Sequence, residues 1–285
     1  MIYLIIVSIL WSFSFGIIKY SLNGVDSSYI SFIRSLIALL FFSSISIYNI
    51  KKFTLDLKLI LIGALQFGLM YIFYIQSYAY LPAYLIATFT ITTPIFVGLA
   101  SKYIARQSIS KNGIYAISLV IIGSFLMRIN FVNPLDYWFG FLLIQCANLF
   151  FASGQILFKE WKIENDGTDI LHNFSQMFLG ATFVTSLFYL FNASGSNQLS
   201  SENLFALIFL GLISTGLGFL FWNLGSLKVT NDKLAVMNNL IIPIAILNSY
   251  FIFGEQIDSS TFVPGMICFY FCLLYTSPSP RDFKE

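Results

Sequence analysis

Charge is scarce in this 285-residue sequence: Asp, Glu, Lys and Arg make up 10% of it, against a hydrophobic share of 58%. A water-soluble domain carries about 25% charged residues, so a soluble reading fails for the whole chain. The acids that do occur avoid the apolar stretches: Asp26, Asp136, Glu160, Asp232 and Glu255 lie at their ends or between them. There is one histidine, His172, and three cysteines, Cys146, Cys268 and Cys272, without zinc or disulfide spacing. With no second histidine and no acid inside an apolar run, neither a metal cluster nor a Ser-His-Asp triad is available. G-x-x-x-x-G-K-[ST] is missing, which removes an ATP-driven engine. The net charge of +2 comes with no basic patch of the kind nucleic acid requires. The expectation is a protein that is not an enzyme, holds no metal or cofactor and does not bind nucleic acid.

What is present is apolar length. Runs near the 20 residues a bilayer-crossing helix needs fall at roughly 2–22, 28–49, 57–80, 83–103, 112–130, 135–158, 172–192, 203–226, 232–253 and 261–275. The expected fold is an all-α polytopic membrane protein, with ten transmembrane helices as two inverted five-helix repeats. Shifted by 149 positions, residues 68–110 lie on 217–259 without a gap: Ser77 meets Ser226, Leu85 meets Leu234, Pro94 meets Pro243 and Gln107 meets Gln256. Five spans per half is an odd number, so the second half enters the membrane inverted. The charges agree. Links after even-numbered spans hold ten Lys or Arg, from Lys51 to Lys233, while links after odd-numbered spans hold two, Lys19 and Arg128. Positive residues stay inside, which puts both termini in the cytoplasm. The repeats are read as 1–131 and 132–275. Residues 272–285 begin with CLLYTSPSPRD, read as the translation of a sequencing-adaptor scar followed by a tail, which cuts the tenth helix short. An internal repeat in a membrane chain points to a transporter whose site lies between the repeats near the midplane.

Polar side chains within hydrocarbon must face a cavity or another helix. Tyr71, Tyr74 and Tyr78 share one face of span three, and Phe89 and Thr93 lie on span four. In the second copy Asn223 stands for Tyr74, Asn238 for Phe89 and Trp222 for Phe73. With Trp11 on span one and Asn148 on span six, these residues outline a cavity aromatic on one wall and amide on the other. Such a cavity suits a small amphipathic substrate, although helix packing also uses these residue types. Arg34 lies within span two, where a guanidinium costs at least about 2.5 kcal/mol on insertion scales. A substrate carboxylate, or snorkelling towards headgroups, accounts for it. Pro94 and Pro243 each remove a backbone hydrogen bond and are read as hinges or kinks. No acid sits inside a span to serve proton coupling, so facilitated diffusion and exchange for a counter-substrate stand level with coupling to a proton.

Several local features carry a resemblance. Trp11-Ser12-Phe13-Ser14-Phe15 followed by Lys19, then Phe32-Ile33-Arg34, the prolines of spans four and nine, and Gly254-Glu255 together resemble the drug/metabolite transporter superfamily, EamA type. The likeness runs from about Ile2 to Phe271. Span six departs from it, with Asn148 near the place of the family's frequent tryptophan. The resemblance implies a ten-helix carrier of the bacterial inner membrane. It implies alternating-access transport of small organic metabolites, often export of amino acids, with the lipid bilayer and a small-molecule substrate as partners. Two alternatives stay open: a non-transporting lipid-handling or sensory module, and a nucleotide-sugar or phosphate-ester carrier of the same superfamily. The second calls for more deep cations than Arg34 and Lys19 provide.

Overall fold

The computed structural model describes residues 1–49, 55–107, 134–192 and 199–254, with isolated positions within 111–122 and 263–271. Among the described residues eight helices are long and apolar enough to cross a bilayer, and there are no strands. They are α1 (Ile2–Ser21), α2 (Ser27–Asn49), α3 (Leu57–Ala79), α4 (Ala83–Tyr103), α5 (Pro134–Glu164), α6 (Ile170–Asn192), α7 (Ser201–Ser226) and α8 (Asn231–Phe251). These are the expected spans one to four and six to nine. The fifth and tenth expected spans lie for most of their length outside the described residues, as does the segment 272–285.

The outer surface is apolar. Phe191, Phe251 and Phe205 are 84%, 75% and 74% exposed, which suits hydrocarbon and would be a liability in water. Hydroxyls within the helices find backbone partners instead of water. Ser8, Ser35 and Thr185 donate to the carbonyls four residues earlier, Leu4, Ser31 and Ala181, at 2.9–3.0 Å. Polar residues cap the helices where the chain re-enters. The Asp56 carboxylate accepts from the Lys58 and Leu59 N–H groups at the start of α3, and the Thr230 hydroxyl accepts from Lys233 N–H at the start of α8.

Four helices are irregular inside the bundle. α3 widens into a π-helical stretch at Ala64–Leu69, and α7 does so at Leu210–Leu217. α4 breaks at a 3₁₀ turn, Thr90–Thr92, and α8 breaks at a turn over 238–240. The 149-residue shift makes each irregularity overlap its counterpart: 64–69 falls on 213–218 and 90–92 on 239–241. The prolines sit in the first turn of the half-helices that follow, Thr93–Tyr103 and Ile241–Phe251. A first-turn N–H has no intrahelical partner, so neither proline strips a bond from a continuous helix.

Neighbours follow one scheme. α1 packs on α7 and α8, as α5 packs on α3 and α4; α2 packs on α7, as α6 packs on α3; α2 lies along α6, and α4 along α8. The α3–α6 approach is backbone to backbone. A Cβ on Gly63 would fall 1.9 Å from the Met177 carbonyl oxygen, and one on Gly180 would fall 1.9 Å from that of Ile60. Small residues permit this approach, which gives dispersion where lipid supplies no hydrophobic drive.

Candidate functional site

The irregular segments of α4, α7 and α8 border a central cavity together with Met70, Tyr71 and Tyr74, which follow the π stretch of α3, and α1, α2 and α5 complete the wall. Its volume, as space for the centres of water molecules, is about 100 Å³. That is room for several waters, hence for a small solute.

One wall is aromatic. Trp11 stacks on Trp222 at 5.1 Å between centroids and meets Phe219 edge-on at 4.9 Å, and Phe151 closes the group at 6.0 Å from Trp222. Polar contacts fix the two tryptophans. Trp11 Nε1 donates to the Ser214 carbonyl in the π segment of α7 at 2.8 Å, and Trp222 Nε1 donates to Gln155 Oε1 at 2.9 Å. π segments recur at functional sites because they re-aim the backbone ladder.

Beside it the wall is cationic. Arg34 is 2% exposed yet borders the cavity. Its Nε donates to Thr215 Oγ1 at 3.2 Å and its Nη2 to the Tyr71 hydroxyl at 3.0 Å. Those two hydroxyls lie 2.7 Å apart, and the guanidinium carbon sits 4.4 Å from the centre of the Tyr71 ring. Arg34 Nη1 has no hydrogen-bond partner.

Amides manage the break in α4. Asn148 Nδ2 donates to the Phe89 carbonyl at 3.0 Å and to Thr92 Oγ1 at 3.1 Å, and Asn239 Nδ2 donates to the Ile91 carbonyl at 2.9 Å. Thr93 and Ile241, the first residues of the two second half-helices, border the cavity. Helix starts are the positive ends of helix dipoles.

Of the side chains expected at a site, Trp11, Arg34, Tyr71, Tyr74, Thr93, Asn148, Trp222 and Asn238 line this cavity, and Tyr78, Phe89 and Asn223 do not. The Tyr78 hydroxyl bonds that of Tyr74 at 2.7 Å, one layer back. Phe89 turns its ring to Phe141 and offers only its carbonyl. Asn223 follows Trp222 by one residue, about 100° around the helix, and bonds Gln66 and the Phe219 carbonyl instead. Lys19 donates to the Tyr78 and Leu81 carbonyls at the end of α3. Ser14, Ser214 and Phe219 line the cavity without having been expected there. They become legible only once the π segment turns α7 towards Trp11 and Ser14, where the Ser14 and Ser214 hydroxyls meet at 2.8 Å.

A bundle of bilayer-length helices closed around a small cavity with one aromatic and one polar wall defines a membrane carrier. The chain matches the EamA-like transporter family over residues 1–129 and 138–277, and it belongs to that family. It is a transporter, not an enzyme. It is 30% identical over 270 residues to a biotin transporter of Salmonella typhimurium, covering 92% of this chain and 88% of that one. It is 31% identical over 269 residues to a biotin transporter of Escherichia coli K12, covering 93% and 88%. A solved crystal structure with 12% identity superposes with a TM-score of 0.80 over 99% of this chain and 98% of its own. At that identity the likeness is one of fold.

Proposed function

We propose that the chain is a secondary carrier of the bacterial inner membrane that moves a small ring-bearing metabolite of the biotin type by alternating access. The observation that carries this reading is the lining of the cavity: four clustered aromatic rings, hydroxyls, amides and one guanidinium, with no acid among the described lining side chains. A free amino acid, the cargo that the family resemblance suggests, would bring an ammonium group into this cavity without a counter-charge. Desolvating an unpaired ion is strongly unfavourable. Biotin has an uncharged bicyclic ring to lay against the aromatic wall and polar ureido atoms to meet hydroxyls and amides. The relatives named as biotin transporters support the same choice.

The mechanism rests on residues 1–131 and 132–275 as two inverted five-helix repeats, ten helices in all, rocking about the cavity with both termini cytoplasmic. The matched irregularities, the exchange-symmetric packing and the family's match to two stretches of the chain support it. Trp11, Arg34, Tyr71, Tyr74, Thr93, Asn148, Trp222 and Asn238 contact the solute; Tyr78, Phe89 and Asn223 brace them; Pro94 and Pro243 mark the hinges. Labelled biotin offered to proteoliposomes tests the reading, with unlabelled biotin and a mixture of amino acids as competitors. Saturable uptake blocked by biotin and not by amino acids is expected. Uptake of amino acids with none of biotin would reverse the choice of cargo.

A further inference from the structure

Arg34 is the eighth residue of α2, about 10 Å along its axis, and no carboxylate is among its partners. A guanidinium offers five N–H donors in a planar fork. Thr215 takes Nε and Tyr71 takes Nη2, while the Tyr71 ring packs against the guanidinium carbon. Both hydroxyls are bonded to each other, so they hold the fork in one orientation. What remains is Nη1, buried, without a partner, on a side chain that borders the cavity. A donor fixed by its neighbours and left unpaired at a cavity wall is short of one acceptor, and the site as a whole is short of one negative charge.

The rest of the cavity has the same sign. The second half-helices of α4 and α8, each 11 residues long, begin at its edge with Thr93 and Ile241, and their dipoles favour an anion there. The carbonyls nearest the α4 break, which would oppose an anion, are already bonded to Asn148 and Asn239. The same cavity is lined by the apolar group Trp11, Phe151, Phe219 and Trp222.

We infer that Arg34 Nη1, held by Tyr71 and Thr215, is a carboxylate subsite, and that the cargo is recognised as a monocarboxylate anion with an apolar body. This rests on the carrier reading and adds the charge that the cargo must bear. Charge selects more sharply than ring shape: different rings fit against an aromatic wall, whereas the unpaired N–H donates most strongly to an oxygen that carries negative charge.

The test is binding to the purified full chain in lipid nanodiscs, followed by tryptophan fluorescence. The probes are biotin with its primary amide, and cyclic and medium-chain monocarboxylates with theirs. At neutral pH the acid is expected to bind at least about tenfold more tightly than its amide, as a charge-assisted bond to a buried donor implies. Arg34→Gln should abolish that preference by weakening the acid alone, and Arg34→Lys, which keeps the charge but loses the fork, should retain part of it. If a variant does not fold, the acid-to-amide ratio of the unsubstituted protein decides. Equal binding of acid and amide, or no binding of any acid by folded protein, overturns the subsite. An acid other than biotin showing the preference ends the biotin reading and keeps the subsite. Biotin bound and transported no better than its amide keeps the carrier and ends the subsite.

Discussion

Replacing Gly180 with alanine adds one methyl group at the point where α3 and α6 touch. That Cβ would lie 1.9 Å from the Ile60 carbonyl oxygen and 3.1 Å from the Ala64 nitrogen, both of them backbone atoms with no rotamer to change. The helices must therefore part by about 1 Å, and a gap of that size forfeits roughly a quarter to a half of the dispersion between the atoms it separates. Overpacking of this kind costs about 1–3 kcal/mol. Gly63→Ala meets the Met177 carbonyl oxygen at the same 1.9 Å and should cost as much. The double variant should cost less than the sum, because one separation relieves both clashes. Gly216→Ala is the control: its Cβ meets nothing closer than 3.5 Å, so it should be neutral or slightly stabilising, by up to about 1 kcal/mol. Thermal unfolding in detergent, followed by the loss of the monodisperse peak, reads all four. Gly180→Ala as stable as the parent, or single-variant losses that simply add, would refute the close-packed α3–α6 contact.

Trp222→Phe keeps the ring but withdraws the donor to Gln155 Oε1, leaving an amide whose Nε2 already has no partner. It should lose about 1–3 kcal/mol of stability, and Gln155→Leu in that background should recover much of it; the thermal midpoints check both. Asn148→Leu removes the 3.0 Å donor to the Phe89 carbonyl at the α4 break and should cost about 1–3 kcal/mol in the same assay while slowing uptake. For orientation, with the native cysteines replaced, Asn23→Cys should react with an impermeant maleimide from outside the cell and Asp166→Cys only after permeabilisation; the opposite pattern would invert the proposed topology.

The membrane class was legible because composition alone decides it: few charges, and apolar runs of bilayer length. The positions of the helices followed from the same runs. The cavity was legible where a residue type is costly in lipid without a partner, as for Arg34 and Asn148, or large and away from the interface, as for Trp11 and Trp222. Ser214 and Thr215 carried no such mark. Small hydroxyl residues in a helix ordinarily bond their own backbone, and only the π segment Leu210–Leu217 places these two against Ser14, Arg34 and Tyr71. Phe151 and Phe219 were hidden among 32 phenylalanines, most of which a membrane protein spends on lipid and packing. The prolines read as kinks in continuous helices because sequence does not reveal that both helices have already stopped one turn earlier. Asn223 followed the repeat pattern into the expected site, but its neighbour Trp222 takes the cavity-facing position.

The central claim is that solute passes through the cavity between the irregular helices. The most direct measurement is the half-saturation concentration for uptake in two variants with the same chemical change. Phe219→Leu alters the cavity wall, and Phe205→Leu alters a ring 74% exposed on the outer face. Loss of an aromatic contact worth about 0.5–1.5 kcal/mol predicts a rise of roughly two- to tenfold for Phe219→Leu and no change for Phe205→Leu at equal protein levels. Equal values for the two would contradict the account.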